Sequence, residues 1–518
     1  MRIRVALIGA LLLIGLAPAI PAEAAAGWVP GQFIAKQYTE ALGRMPTQAE
    51  WSSAVQEFTV DGCGIVSLTD LGSSIFRSPE FIGLGYDASA RILVLYRAAL
   101  NRDPDPSGFD SWRHAMAAGT SWSTVVSDFY SSPEFADLTG RICSGAHDSS
   151  ATSYSFGAQP PFALSASTTT EADLQQRLDT AAPGTTVALP PRTLLKLTAP
   201  LRVPDGVTLT TAGAPDNRHY ADMARLVRAA DFNNILVYAN GTLSHVWIDG
   251  GRRSPETADP LRSDVRLIGG SAPALTHSRV TDSPGPQSVQ VLGTADGHPC
   301  PQATVSDNLV TAYSSDHYRK NSWTDGIATT CEHTTIDRNE IVDATDVAIV
   351  LYRSAPETGP QTIQKSTAED NRILSAGNSA YGGLVHDPLF IKAGQHVRTM
   401  DFTGAAISRN TLWTSPNTHF DIGLGAGTRE WFGANSHTGK GAAITGNTTG
   451  RLTARVQTGI AVDGMIDADI SGNTARWAHA AIGHCPDVDF AAAISTGYAS
   501  GAFSPTPQDR AFDRCIGH

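Results

Sequence analysis

The chain has 518 residues, a formal net charge of −12 and only 17% charged residues. An acidic chain argues against nucleic acid or another polyanion as the main ligand, because phosphates and uronates favour a basic groove. The 48 glycines and 30 prolines mark a chain rich in turns, which disfavours a predominantly helical protein.

Met1 to Arg4 carries two arginines and runs into an apolar stretch, Val5 to Leu16, followed by a Pro-Ala tail that includes Ala22-Glu23-Ala24. The pattern predicts a signal peptide over residues 1–26, whose apolar core is shorter than the roughly 20 residues of a membrane span. A secreted, extracellular protein with no membrane span after cleavage is the expectation. Export exposes the six cysteines to an oxidising compartment, and sequence proximity pairs Cys63 with Cys143, Cys300 with Cys331 and Cys485 with Cys515. No Cys-x-x-Cys or His-x-His cluster stands in the sequence, so no metal site is expected.

Residues 27–145 contain a duplication. Tyr38-Thr-Glu-Ala-Leu42-Gly-Arg44 is echoed by Tyr96-Arg-Ala-Ala-Leu100-Asn-Arg102, and Ile75-Phe76-Arg-Ser-Pro79-Glu80-Phe81 by Asp128-Phe129-Tyr-Ser-Pro133-Glu134-Phe135. Apolar residues between the echoes fall at helical spacing, which predicts a small all-α unit with Trp51 and Trp112 in its core. The Leu-x-Arg-x-Pro pattern with a following Trp and Ser-Pro-Glu-Phe resembles an uncharacterised bacterial repeat domain of exported and surface-layer-associated proteins. That resemblance implies attachment, with the cell envelope as a partner, rather than catalysis.

Residues 146–167, rich in Ser, Ala, Thr and Pro, read as a linker. A hydroxyl and acidic start with Leu174 and Leu178 predicts a short amphipathic helix over 170–182. Short Val and Leu strands follow, Val187-Ala-Leu189 and Leu201-Arg-Val203 among them. This arrangement resembles the first coil of the pectate-lyase-like superfamily. It implies a mainly β architecture over 168–518, a right-handed parallel β-helix with a helical cap over its open end.

The strongest support is a repeat in which an apolar residue precedes an asparagine by three positions: Val305-Ser-Asp-Asn308, Ile336-Asp-Arg-Asn339, Ala368-Glu-Asp-Asn371, Ile407-Ser-Arg-Asn410, Ile444-Thr-Gly-Asn447 and Ile470-Ser-Gly-Asn473. Asparagine tolerates the left-handed conformation of a sharp corner, and stacked amides bond to one another from coil to coil. The signatures of a β-propeller or leucine-rich repeat are missing.

Aligning the coils on these asparagines brings Asp325, Asp346, Tyr381, Asp421 and Thr458 into one column of strand starts. At about 4.8 Å per coil, Asp325 and Asp346 are neighbours and Asp346 and Asp421 lie about 9.6 Å apart. Paired carboxylates about 5 Å apart serve retaining glycoside hydrolysis, and those about 6.5–9.5 Å apart serve inverting hydrolysis. Asp325 and Asp346 are therefore the candidate acid and nucleophile or base, with Asp421 as the alternative partner. His317, Trp323, Arg353, Tyr381, His386, Asp387, Glu430 and Trp431 lie around the column and suit sugar binding, Glu430 also as a reserve acid.

The sequence thus points to a secreted carbohydrate-active enzyme, a glycoside hydrolase acting on an extracellular polysaccharide without a cofactor. A polysaccharide lyase is the alternative, with a base among Arg319, Lys320, Arg353, Lys365, His386 and Lys392 and Ca2+ on the uronate. A non-catalytic surface or adhesion protein is the third reading. The polygalacturonase and lyase motifs of the superfamily are missing, so the aspartate roles rest on the stacking argument.

Overall fold

The computed structural model describes residues 28–144, 161–230, 232, 234–251, 263–293, 302–311, 323–353, 364–389, 396–428, 431, 436–480 and the backbone of 493–494. Residues 1–26, His317, Arg319, Lys320, Lys392, Glu430, Cys300, Cys485 and Cys515 lie outside these.

From Thr186 onward the chain winds as a right-handed parallel β-helix. Among the described residues its sheets hold ten, eight and eleven strands, every pairing is parallel, and a three-stranded sheet is added by Thr399–Asp401, Thr438–Lys440 and Met465–Ile466. The first sheet runs from Thr186–Leu189 to Asp469–Ser471, the second from Leu194–Leu197 to Thr411–Thr414, and the third from Leu201–Val203 to Trp477–His479. Leu, Val and Ile of all three fill a continuous interior. The helix Glu171–Asp179 closes the first coil by seating Leu174 and Leu178 on that core, and a capping box between Thr170 and Asp173 starts it.

The asparagines form one ladder. Each Nδ2 donates to the Oδ1 of the next, from Asn308 through Asn339, Asn371, Asn410 and Asn447 to Asn473, at 2.9–3.0 Å. Each Nδ2 also donates to a backbone carbonyl, as Asn371 does to Ile336. The left-handed residue of each corner is the preceding one: Asp307, Arg338, Asp370, Arg409, Gly446 and Gly472 carry φ between 53° and 66°. The asparagine satisfies the corner by hydrogen bonds while its neighbour makes the turn.

Eight helices between Gly31 and Cys143 form the helical unit, and the Cys63–Cys143 disulfide ties its ends. Cys331 is also disulfide-bonded. The duplicated motif has a structural basis. Arg44 pairs with Glu80 and Arg102 with Glu134, Ser78 and Ser132 cap the helices beginning at Pro79 and Pro133, and Phe81 and Phe135 are buried. Trp51 is buried as expected, whereas Trp112 is only partly so.

The helical unit lies against the second sheet. Two outward rows of that sheet, read along the register, include Arg225, Trp247, Arg279, Leu309, Glu340 and Arg372, and Val342, Leu374 and Trp413. Trp247, Leu309, Val342, Leu374 and Trp413 join the apolar core of the helices. Glu40 pairs with Arg97 and Arg279, and Asp103 with Arg97 and Arg225, all buried. Burial pushes the Glu40 carboxyl up, but Arg279, Arg97 and Lys36 together hold it well below the usual range. Phe162, at the end of the Ser/Pro-rich segment, donates its N–H to Asp103 and packs on Phe109.

Candidate functional site

With the second sheet covered by helices, the candidate residues lie on the third sheet and the turns that feed it. Val347 pairs with Gly382 and Gly382 with Ile422, so Asp346, Tyr381 and Asp421 fall in one column on successive coils. At about 4.8 Å per coil the two aspartates stand about 9.6 Å apart, with Tyr381 between them. Asp346 and Tyr381 are half-buried, and Trp323 meets Tyr381 edge-to-face with ring centroids 5.9 Å apart.

Asp325 is one residue out of this column. Ile327 pairs with Ile349, which sets Asp325 opposite Val347 and not opposite Asp346. The core residues fix the register, and the acidic strand starts follow from it. Asp325 remains beside Asp346 on the adjacent coil, but it is fully buried. Its Oδ1 accepts the Val347 N–H at 3.0 Å and its Oδ2 the Tyr352 hydroxyl at 3.4 Å. Burial, then the charge of Asp346, raises its carboxyl well above the ordinary range. Burial and the neighbouring Asp346 thus both disfavour the charged form of Asp325, while Asp346 itself is less buried. Tyr352 is raised as well, by burial and by Asp325, Asp346 and Asp387, so its phenol stays protonated.

Asp421 is buried and faces His419, whose Nε2 lies 3.2 Å from Oδ1. The Nδ1 of His419 is 3.1 Å from the Ser379 hydroxyl, which also accepts the His419 N–H. His419 and Ser379 escaped the sequence reading. The signal was there, since His419 stands two residues before Asp421 and so shares its side of the chain.

The remaining predicted residues are dispersed. His386 pairs with Leu351 and Ala426, both core residues, so its imidazole enters the solenoid interior, where Nε2 donates to the Ala443 carbonyl at 3.0 Å. Burial lowers its pKa to about 4. It therefore meets Phe402 of the core, and the third sheet lies between it and the outer face. Asp387 is buried at the end of its strand and accepts from the Leu389 N–H and the Thr428 hydroxyl, while burial lifts it to about 6. Arg353 is buried with Glu332 and Asp401 as its charged neighbours, at the corner beyond Tyr352. Trp431 packs with Ala328, Val347, Val350, Val385 and Tyr352. A Cβ on Gly382 would come within 3.1 Å of the Trp431 ring, so glycine makes room for the indole there. The structure thus brings together Asp325, Asp346, Tyr381, Trp323 and Asp421, with Trp431 nearby, and sends His386 and Arg353 elsewhere. No group of three or more metal-binding side chains occurs among the described residues, and no described helix is long and apolar enough to cross a membrane.

A family model described as a domain of unknown function (DUF4214) matches residues 72–139, most of the second helical repeat. No curated protein matches the sequence. Among solved structures, a variant tailspike protein of E. coli bacteriophage HK620 is 9% identical with a TM-score of 0.38, covering 59% of this chain and 53% of its own. The surface adhesin PfbA of Streptococcus pneumoniae is 12% identical with a TM-score of 0.34, covering 59% and 88%. An alginate lyase from Paenibacillus sp. str. FPU-7 is 13% identical with a TM-score of 0.23, covering 59% and 97%. The match thus spans about half the length of the tailspike protein.

Proposed function

We propose that this chain is a carbohydrate-active enzyme that hydrolyses glycosidic bonds of a neutral extracellular polysaccharide along its third sheet. One observation carries the reading: two carboxylates, Asp346 and Asp421, stand two coils apart with a half-exposed tyrosine between them. Their spacing of about 9.6 Å meets the upper end of the range that leaves room for a water beside the sugar, which favours inversion. Asp346, the less buried of the Asp325–Asp346 pair, activates that water. The His419–Asp421 pair delivers the proton to the leaving oxygen. Tyr381 and Trp323 offer aromatic faces to the sugar ring. In this scheme Asp325 acts behind Asp346 as a buried, protonated carboxyl, and not as the proton donor.

A reducing-end assay over a panel of neutral and uronate polysaccharides tests the reading, with Asp346→Asn alongside wild type. Cleavage of a neutral glycan that falls about 10²–10⁴-fold in Asp346→Asn supports it. Equal rates in both proteins overturn the role of Asp346. Unsaturated sugar products, seen by ultraviolet absorbance, overturn hydrolysis in favour of a lyase.

A further inference from the structure

From the contacts of its first residues, we infer that the helical unit positions the carboxylates of the proposed site: its Val29–Gln32 segment braces the three stacked turns from which Asp346, Tyr381 and Asp421 emerge. The inference rests on the functional reading above for the role of those residues, but the brace itself can be measured without a substrate.

The turns occupy residues 343–345, 376–379 and 415–418, and each ends within three residues of a site residue. They are bonded to one another. The Asp343 carboxylate accepts the N–H groups of Ala376 and Gly377 at 2.6 and 3.0 Å, the Ser415 N–H donates to the Ser375 carbonyl at 2.8 Å, and the Thr418 hydroxyl donates to the same carbonyl at 2.6 Å. The Val29–Gln32 segment touches all three. The Gln32 side chain hydrogen-bonds the Asp343 carboxylate. The Asn417 Nδ2 donates to the Val29 carbonyl at 2.9 Å. Gly31 lies so close to the middle turn that a Cβ would sit 1.9 Å from the Ala376 carbonyl oxygen and 3.1 Å from Ser415 Cβ. Gly377 returns the approach, since its Cβ would meet that of Gln32 at 2.4 Å. Both glycines have φ outside the left-handed region, so they are needed for close approach and not for backbone freedom.

The brace is itself held. Trp28 donates its indole N–H to the Ile142 carbonyl, beside the Cys63–Cys143 disulfide. Beyond the turns, the Tyr381 N–H donates to Thr345 and the Gly382 N–H to Asp346. A displaced turn therefore moves the column directly. A misplacement of about 1 Å in a catalytic group can lower a rate about 10²-fold, which makes Gly31, Gln32 and Asn417 positioning residues.

Gly31→Ala tests this in the full chain, with Asn417→Ala as the milder second variant. Gln48→Ala is the control, because its hydrogen bonds are with Thr449 and Arg451, at another part of the interface. Deuterium uptake by peptides spanning 343–347, 376–382 and 415–422 is expected to rise in Gly31→Ala and Asn417→Ala and to stay at the wild-type level in Gln48→Ala. On a glycan that wild type cleaves, kcat falls about 10²-fold in Gly31→Ala with KM little changed. Unchanged uptake at the three turns in both variants overturns the brace. Raised uptake with unchanged kcat overturns the positioning role. If wild type cleaves nothing in the panel, the functional reading fails while the uptake result still decides the brace.

Discussion

Asp325→Asn is expected to stabilise the protein increasingly as pH rises. The folded-state pKa of Asp325 lies well above its ordinary value of 3.8. Its contribution is therefore fully present below that value and is lost as pH rises toward the folded pKa. The amide is neutral throughout. It keeps an oxygen for the Val347 N–H at 3.0 Å and offers an N–H to the Tyr352 oxygen at 3.4 Å. The stability difference between variant and wild type should grow by up to about 1.4 kcal/mol per pH unit above the carboxylate range. Urea midpoints of both proteins from about pH 4 to about pH 8 measure it. Asp343 and Asp387, lifted to about 6, and His386, lowered to about 4, titrate in both proteins and cancel in the difference. Parallel curves would refute the buried, protonated state. The same variant separates two roles. If Asp325 only backs Asp346, an amide that imitates its protonated form keeps cleavage within about 10-fold of wild type near neutral pH. If it is the proton donor, the rate falls by about 10²–10⁴-fold.

Other expectations concern the scaffold. His386 titrates at about 4 folded against 6.5 ordinarily, so its contribution is present above pH 6.5 and lost as pH falls toward 4, about 3 kcal/mol in all; His386→Leu should flatten that acid limb in urea titrations, and an unchanged limb refutes the assignment. Asn371→Ala removes four hydrogen bonds at a buried rung and should cost about 4 kcal/mol, whereas the half-exposed last rung, Asn473→Ala, should cost about half as much by chemical denaturation. Arg279→Met leaves Glu40 buried with a lost partner and should cost about 3–5 kcal/mol, recovered in part by adding Glu40→Leu; a loss under about 1 kcal/mol refutes a tightly coupled interface. Replacing Cys63 and Cys143 by serine opens a closure of 80 residues and should cost about 4–5 kcal/mol, read as the denaturation midpoint with and without the bond.

The fold was legible because its signal repeats. Six asparagines at one place in successive coils report a ladder whatever the loops between them do, and the structure places all six in it. The backbone strain of the corner was misassigned by one residue, because an asparagine reads equally well as a left-handed residue or as an amide that bonds across coils. The site was less legible for a related reason. Asp325 and Asp346 look equivalent when strands are aligned on their acids, yet the pairing of Ile327 with Ile349 sets the register and turns Asp325 into a buried partner. His386 was readable in principle: two residues after core-facing Leu384, it must enter the interior. Docking of the helical unit could not be read locally. Its determinants, such as Gly31 against Ala376 or Arg279 against Glu40, lie hundreds of residues apart and acquire meaning only when the coils are stacked.

The three faces of the solenoid then divide their work by what each can still expose. The second sheet gives its outward tryptophans, leucines and arginines to the helical unit, and a buried charge network of this size is not vacated for a ligand. The corner after the first sheet carries its own charge pairs, Arg338 with Asp307 and Arg409 with Asp370, so charged groups there already have partners. Among the described residues, the third sheet places half-exposed aromatic rings beside carboxylates, one of which, Asp346, stands next to the buried Asp325. Burial of Asp325 disfavours its charged form beside Asp346, the asparagine ladder fixes the spacing of the coils, and the helical unit holds the turns that aim the carboxylates. A change in any of the three should reach the carboxylate column, and only the first should do so without altering hydrogen exchange at the turns.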